Sequence, residues 1–462
     1  MSDLDAVRDW LDQQVPELMR AHRVPGASWA VLRADEVVEG AAGVLNLATG
    51  VEATTDSVFQ IGSATKLWTA SLVLQLADEG LLDLDAPVRE VLPEFAVGDR
   101  EATERITPRQ LLEHTAGFEG DIFTDTGVGD DALEKYVAEL HDVPQLFPPG
   151  ERFSYNNAGY CVLGRVVEVL RGTTYDAALH ERLAAPLGLT HVATSALEAI
   201  LHRAAVGHVE AEPGGSLQRA PVWAMPRSNA PAGAMLSMTA RDLVAFARMH
   251  LDDGHAPDGT RVLAAGTPER MWAHAVDLPA LGLMGTSWGL GFERFDTPTG
   301  LLVGHDGTTI GQHAFLRMVP GAGVAVALLT NGGDVVSFYR EVVGHVLGML
   351  TDVRLPDLPA PPQDPETVDA SRYLGTYSAS VFDLTVSQDD DGRIWLDLVP
   401  KGDYVELGGQ AERTELVHYG DDMLIPVDAD RGMYMPHAFV GDDGAGHALY
   451  LHLGRAVRRA GV

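Results

Sequence analysis

The tract RLPDLPAPPQDPE, Arg354 to Glu366, divides the chain into two parts built by different rules. Proline fixes φ and removes a backbone donor, so this stretch reads as a stiff linker rather than a helix or strand. Before it, GASWAVLR and EVVEGAAGVLNL read as strands joined by a turn at Ala34-Asp35. Apolar residues then recur at helical spacing in LWTASLVLQLADEGLL, TPRQLLEHT, ALEKYVAELHD, NNAGYCVLGRVVEVLRG and TARDLVAFARMHLDDG. Strands return in LLVGHDG, QHAFLRMVP and GVAVALLTN, and the helix VVSFYREVVGHVLGML follows. Strands near both ends with helices between imply one sheet completed by distant segments plus a helical lobe, an α+β architecture. Beyond the linker come short strands separated by Gly and Asp turns: YLGTY, VFDLTVS, RIWLDLV, DYVELGG, TELVHYG, DMLIPVD, HAFVGDD and HALYLHLG. Such a series predicts a small antiparallel barrel. The expected units are residues 1–350, a linker over 351–367 and the barrel over 368–462.

Composition removes several classes of function. A chain of 462 residues is expected to form two domains. Its formal charge of −33 opposes binding to nucleic acid or an anionic membrane, which needs clustered Lys and Arg. Cys161 is the only cysteine, so no internal disulfide forms, and its setting in GYCVLG is that of a buried core residue. The N-terminal MSDLDAVRDWLDQQVPELMRAH is an acidic amphipathic helix with Ser2 or Asp3 as cap, lacking the basic and apolar regions of a signal peptide. A cytoplasmic location is expected. No metal or organic cofactor is expected either: His180, His191, His202 and His208 are scattered, and SQDDDGR fits a hairpin turn better than a calcium loop.

The chain contains only three lysines, Lys66, Lys135 and Lys401. Lys66 lies in FQIGSATKLWTA among Ile61, Leu67 and Trp68, three residues after Ser63. On a helix, residues so spaced share a face, and the hydroxyl meets the amine. Ser63 follows a strand and Gly62, which puts it at a helix N-terminus, where its amide and the helix dipole favour developing negative charge. A serine attacks only when a base takes its proton, and lysine serves as that base when burial lowers its pKa. Alone, the Ser-x-x-Lys spacing arises often by chance.

A second piece is FPPGERFSYNNAGYCVLG, where Tyr155 and Asn157 stand just before a helix. A phenol beside Lys66 with a depressed pKa passes the serine's proton to a leaving group. The Asn157 amide is placed to hold the lysine and bind a substrate carbonyl. A third is VGHDGTTIGQ, in which His305, Gly307 and Thr308 sit between two strands. Backbone amides of Ser63 and Thr308 would form an oxyanion hole, with His305 and Gly307 presented to substrate.

In this order, Ser63-x-x-Lys66, Tyr155-x-Asn157 and His305-x-Gly307 resemble the three-motif signature of the penicillin-binding protein and serine β-lactamase superfamily, in its class C and esterase-like branch. ITPRQLLEHTAGF, LFPPGERFSYNNAGYCVLGRVVEVL and PAGAMLSMTARDLVAFARM extend the likeness over residues 1–350. The resemblance implies that superfamily's fold, an antiparallel sheet flanked by helices plus a helical lobe. It makes Ser63 the acylated nucleophile, with Lys66 and Tyr155 sharing acid–base work in a division left open. Asn157 then positions the lysine and substrate amide, His305 contacts substrate and tunes Tyr155, and His114 is structural. His305 stands where β-lactamases and DD-peptidases carry the lysine of K-T-G, which argues against β-lactam hydrolysis.

The C-terminal barrel resembles the lipocalin-like domain appended to some members, including D-aminopeptidase-like enzymes. The whole layout is most similar to the penicillin-binding-protein-type thioesterases, stand-alone cyclases of nonribosomal peptide pathways. That resemblance implies capture of a peptidyl thioester with a D or achiral C-terminal residue, delivered by a carrier protein, and its release as a macrolactam. The alternative is a hydrolase: a D-aminopeptidase, amidase or carboxylesterase. Among Arg455, Arg458 and Arg459, all in the C-terminal HLGRAVRRAG, Arg455 is the candidate for substrate contact.

Overall fold

The computed structural model describes residues 3–212, 214–402, 405, 410–430 and 432–462. Its central sheet has, among the described residues, nine antiparallel strands. Strand Gly26–Arg33 lies between Val324–Thr330 and Glu36–Asn46, and Val324–Thr330 continues through His313–Val319 to Gly300–Thr308. Two strands at the centre of this array are buried at nearly every position. The cause is a helical layer on each face, which makes both faces apolar. Ala27, Trp29, Val31, Val324, Val326 and Leu328 pack against helices Asp3–Ala21 and Val335–Leu350. Their neighbours Ala30, Leu32, Ala325, Ala327 and Leu329 point the other way, into a larger core shared with helices Thr65–Asp78, Asn157–Arg171 and Ala240–Leu251.

Helix Thr65–Asp78 runs through that larger core and is buried continuously from Thr65 to Leu76. Helix Asn157–Arg171 is bounded sharply. The Asn156 side chain accepts from the Gly159 amide at its start, and Gly172 takes a left-handed conformation at its end. Among the described residues, no helix is long and apolar enough to cross a membrane.

After Leu350 the chain runs without regular structure to residue 369 along the first unit, where the Arg340 guanidinium donates to the Pro356 carbonyl at 2.7 Å. Among the described residues, eight strands from Gly375–Ser378 to Ala456–Arg459 close into an antiparallel barrel. The expected strand DYVELGG falls almost wholly outside the described residues. The C-terminal arginine segment forms the closing strand, Ala456–Arg459, with Tyr377 paired to Arg459. The Arg459 guanidinium is consumed inside: it donates to the carbonyls of Ala448 at 2.7 Å and Leu374 at 2.6 Å and to the Tyr377 hydroxyl at 2.8 Å. Tyr377, Leu384, Leu424, Phe439 and Leu451 belong to one buried apolar cluster in the barrel. The SQDDDGR segment is a hairpin turn, in which the Asp389 carboxylate accepts from the Arg393 amide at 2.9 Å.

Candidate active site

Strand Ser57–Gln60 feeds a 3-10 turn, Gly62–Ala64, that runs directly into helix Thr65–Asp78. Gly62 has φ +50°, and a Cβ there would lie 2.5 Å from the Thr308 amide nitrogen. Gly307 is held more tightly still: a Cβ would lie 1.8 Å from the Ile61 carbonyl oxygen. Gly307 therefore serves close approach of strand Gly300–Thr308 to the serine turn. Its neighbours Asp306 and Thr308 line the cleft. The same approach brings the Ser63 and Thr308 amides onto adjoining segments, and Ser63, in the first turn, has no intrahelical acceptor for its N–H.

Lys66 is fully buried, and its Nζ lies 3.0 Å from Ser63 Oγ and 2.6 Å from the Ala232 carbonyl oxygen, to which it donates. Burial draws its pKa down to about 7, and the Arg455 charge acts in the same sense against Asp121 and Glu293. The Tyr155 ring centre lies 4.8 Å from Nζ. Burial raises the Tyr155 pKa, opposed by a hydrogen bond with Ser63 and by the Arg455 charge. The expected depressed phenol is thus corrected: at neutral pH Tyr155 carries its proton, while Lys66 is poised to lose one.

The Tyr155 segment is held on two sides. Within the first unit, His114 is buried at φ +58°, its carbonyl accepts from the Ser154 amide and its Nδ1 accepts from the Asn156 amide at 2.9 Å. His114 is structural in this sense, its ring tilted against Tyr155 at 4.4 Å. From the barrel, the Gly454 carbonyl accepts from the Tyr155 amide at 3.0 Å. Asn157 lines the cleft, but its Nδ2 donates to Asp121 Oδ1 at 2.7 Å, and the lysine is held by Ala232 instead. This corrects its expected grip on Lys66. Asp121 also pairs with Arg455, which reaches in from the barrel with its guanidinium 4.9 Å from the Tyr155 ring centre and 40% of its side chain exposed.

His305 is buried, and its Nδ1 donates to the Asp306 carbonyl at 2.5 Å, which leaves Nε2 as the bare nitrogen. Burial, reinforced by the Lys66 charge, lowers its pKa to about 3, so the third motif contributes a neutral ring. A neutral imidazole here adds no second cation beside Lys66. Glu293 lines the cleft near His305, its pKa raised by burial and by Asp306, and Arg317 pairs with Asp306 at 2.7 Å. Arg455, picked out in the sequence, lines the cleft, whereas sequence reasoning missed Asp121, Glu293, the Ala232 carbonyl and the rest of the 452–456 barrel segment. Ala232, Glu293 and Arg455, together with Phe123, Met225, Leu283 and Met284, help line a cleft of about 330 Å³. Among the described residues no cluster of His, Cys, Asp or Glu suits a metal ion.

This constellation can deprotonate a serine, stabilise an oxyanion and protonate a leaving group. The β-lactamase family model matches residues 11–341. The chain belongs to the β-lactamase and penicillin-binding-protein superfamily. Serine enzymes of this superfamily are acyl transferases or hydrolases, and the chain carries a serine and a tyrosine lining one cleft with a buried lysine 3.0 Å from the serine. It is 48% identical to penicillin-binding protein 4 of Amycolatopsis lactamdurans over 78% of this chain and 94% of that relative. Its structure is similar to SurE, with a TM-score of 0.80 and 31% identity over 99% of this chain and 100% of SurE. A SurE structure with D-Leu also matches, at 30% identity, 98% and 100% coverage and a TM-score of 0.76. D-amino acid amidase from Ochrobactrum anthropi SV3, complexed with L-phenylalanine amide, matches at a TM-score of 0.62 and 25% identity over 75% of this chain and 98% of the amidase.

Proposed function

We propose that this chain is an active-site-serine acyltransferase that releases a peptidyl thioester as a head-to-tail macrolactam. The C-terminal residue of the peptide is D-configured or achiral, and a carrier protein of a peptide synthetase delivers it. The observation that carries this reading is a fully buried lysine, Lys66, 3.0 Å from Ser63, beside a cleft lined in part by Arg455 of the barrel.

Neutral Lys66 takes the Ser63 Oγ proton, and Oγ attacks the thioester carbonyl. The Ser63 and Thr308 amides stabilise the oxyanion. As the C–S bond breaks, the Tyr155 hydroxyl gives its proton to the departing sulfur and recovers one from the Lys66 ammonium. The peptide's own neutral amine then attacks the acyl-enzyme, its proton passes to the Tyr155–Lys66 pair, and Oγ is reprotonated on leaving. His305 and Arg455 line the same cleft, and the partly exposed Arg455 guanidinium is the contact for the peptide's polar groups. For lactam formation the amine must outcompete water, and the apolar lining contributed by Phe123, Met225, Leu283 and Met284 favours that outcome.

The similarity to SurE spans the barrel as well as the first unit, and SurE has been seen with D-Leu. Both support a D-residue substrate. The likeness to a D-amino acid amidase favours the second reading, a hydrolase for D-amino acid derivatives. The two separate by mass spectrometry on matched linear peptidyl thioesters ending in a D or an L residue. Cyclase activity gives a product one water lighter than the free acid, from the D-ended substrate and not with Ser63→Ala. Free acid alone from every substrate would transfer the conclusion to the hydrolase.

A further inference from the structure

We infer that His452, on the barrel, is a positioning residue for the reaction: in one fixed tautomer it ties the 453–455 turn to the Tyr155 segment, so that the barrel holds the proton donor in register. The inference rests on the role proposed above for Tyr155 in protonating the leaving group.

His452 ends strand Tyr450–His452 and is buried. Its Nδ1 accepts from the Gly454 amide at 3.1 Å, so Nε2 carries the proton and donates to the Phe153 carbonyl at 2.8 Å. Each ring nitrogen has one partner, and the two partners lie on different domains. Burial, with help from the Arg152 and Arg455 charges, holds its pKa down to about 4, so the tautomer persists at neutral pH.

The turn that His452 braces makes three further contacts with the catalytic segment. The Gly454 carbonyl accepts from the Tyr155 amide at 3.0 Å, the Ala456 amide donates to Ser154 Oγ at 3.1 Å, and Arg455 lies over the Tyr155 ring. The turn is closed by the Leu453 amide donating to the Arg455 carbonyl at 3.0 Å. Gly454 is left-handed at φ +82°, and a Cβ there would lie 2.5 Å from Met284 Sδ. The segment from Phe153 to Tyr155 therefore meets the barrel at each residue, through the Phe153 carbonyl, Ser154 Oγ and the Tyr155 amide, and the His452 side chain joins the turn at Gly454 to Phe153. Loss of its two bonds frees the turn and lets the Tyr155 hydroxyl drift from its line between Ser63 and the leaving group. Misplacement of a catalytic group by about 1 Å is enough to cost ~100-fold in rate.

The test uses the full chain, as wild type, His452→Leu and His452→Gln, on two esters of N-acetyl-D-leucine. The p-nitrophenyl ester expels a stable anion that needs no proton, whereas the ethyl ester needs one from Tyr155. kcat/KM reports the steps through acylation for both. His452→Leu is expected to lower the ethyl ester value by about 30- to 100-fold and the p-nitrophenyl value by less than about 5-fold. His452→Gln, which keeps one donor and one acceptor, is expected to recover part of the ethyl ester loss, and it carries the comparison alone if the Leu variant does not fold. Equal losses on both esters, in step with a lowered melting temperature, would make His452 a purely structural residue and overturn the inference. So would two variants with wild-type values. A wild-type protein without Ser63-dependent turnover of either ester would overturn the proposed function itself, and this inference with it.

Discussion

Lys66 is the residue where chemistry and stability conflict. Its folded pKa of about 7 lies below the ~10.4 of an unfolded lysine. Between those values the unfolded chain holds a proton that the folded chain has released, so stability rises with pH across that window. Below about 7 both states are protonated and the burial cost is present in full. Replacement Lys66→Met is therefore expected to abolish turnover while raising the unfolding free energy by a few kcal/mol at pH 6, by ~1.4 kcal/mol for each unit of pKa depression. The gain should vanish above about pH 10.4, the unfolded value. Denaturant titrations at pH 6 and pH 9 check this. A Met variant less stable than wild type at pH 6 would show that the Ser63 and Ala232 hydrogen bonds outweigh the desolvation.

At the scale of elements, the site depends on segments brought together by the fold. Asp121 and Arg455 pair across the domain boundary and act on Lys66 with opposite sign, Asp121 raising its pKa and Arg455 lowering it. Asp121→Asn is expected to move the acidic limb of the kcat/KM profile to lower pH, and Arg455→Met to move it to higher pH. Shifts in the same direction would contradict the assignment of that limb to Lys66. Gly307→Ala forces a Cβ to 1.8 Å from the Ile61 carbonyl oxygen. Overpacking of this kind costs about 1–3 kcal/mol, so a fall in melting temperature with loss of turnover is expected. Unchanged activity would mean that the serine turn tolerates displacement.

Ser63, Lys66, Tyr155, Asn157 and His305 were legible in the sequence because three short motifs, each weak alone, together resemble the superfamily's signature. Asp121 was not, because nothing in GDIFTDTG marks one acidic residue as the partner of an arginine more than three hundred positions later. The Tyr155 pKa was misjudged for a related reason. Nearness to a lysine was legible, but the degree of burial that outweighs it belongs to the packed structure. The same holds for the closing barrel strand: AVRR has little apolar alternation, and its place is set by pairing with Gly375–Ser378.

At the scale of the whole molecule, the barrel contributes Arg455 to the lining of the cleft. Tyr450 donates its hydroxyl to the Leu146 carbonyl at 2.9 Å, and the Ser380 amide donates to the Glu119 carboxylate at 2.7 Å. Leu146, Phe147, Tyr450 and Ala456 form an apolar cluster across the junction. These contacts, with the His452 bridge, predict that the two units unfold together. Scanning calorimetry should give one transition, and two well-separated transitions would contradict a barrel that is integral to the site.

The central claim is that Ser63 is acylated with neutral Lys66 as the base. Its most direct test is the pre-steady-state rate of acyl-enzyme formation, followed by intact-protein mass spectrometry with a D-ended peptidyl thioester from pH 5 to pH 9. The predicted result is an adduct on wild type but not on Ser63→Ala, with a rate that rises through a single ionisation near pH 7 and then levels off. An adduct that persists in Ser63→Ala, or a rate that does not change between pH 6 and pH 8, would contradict it.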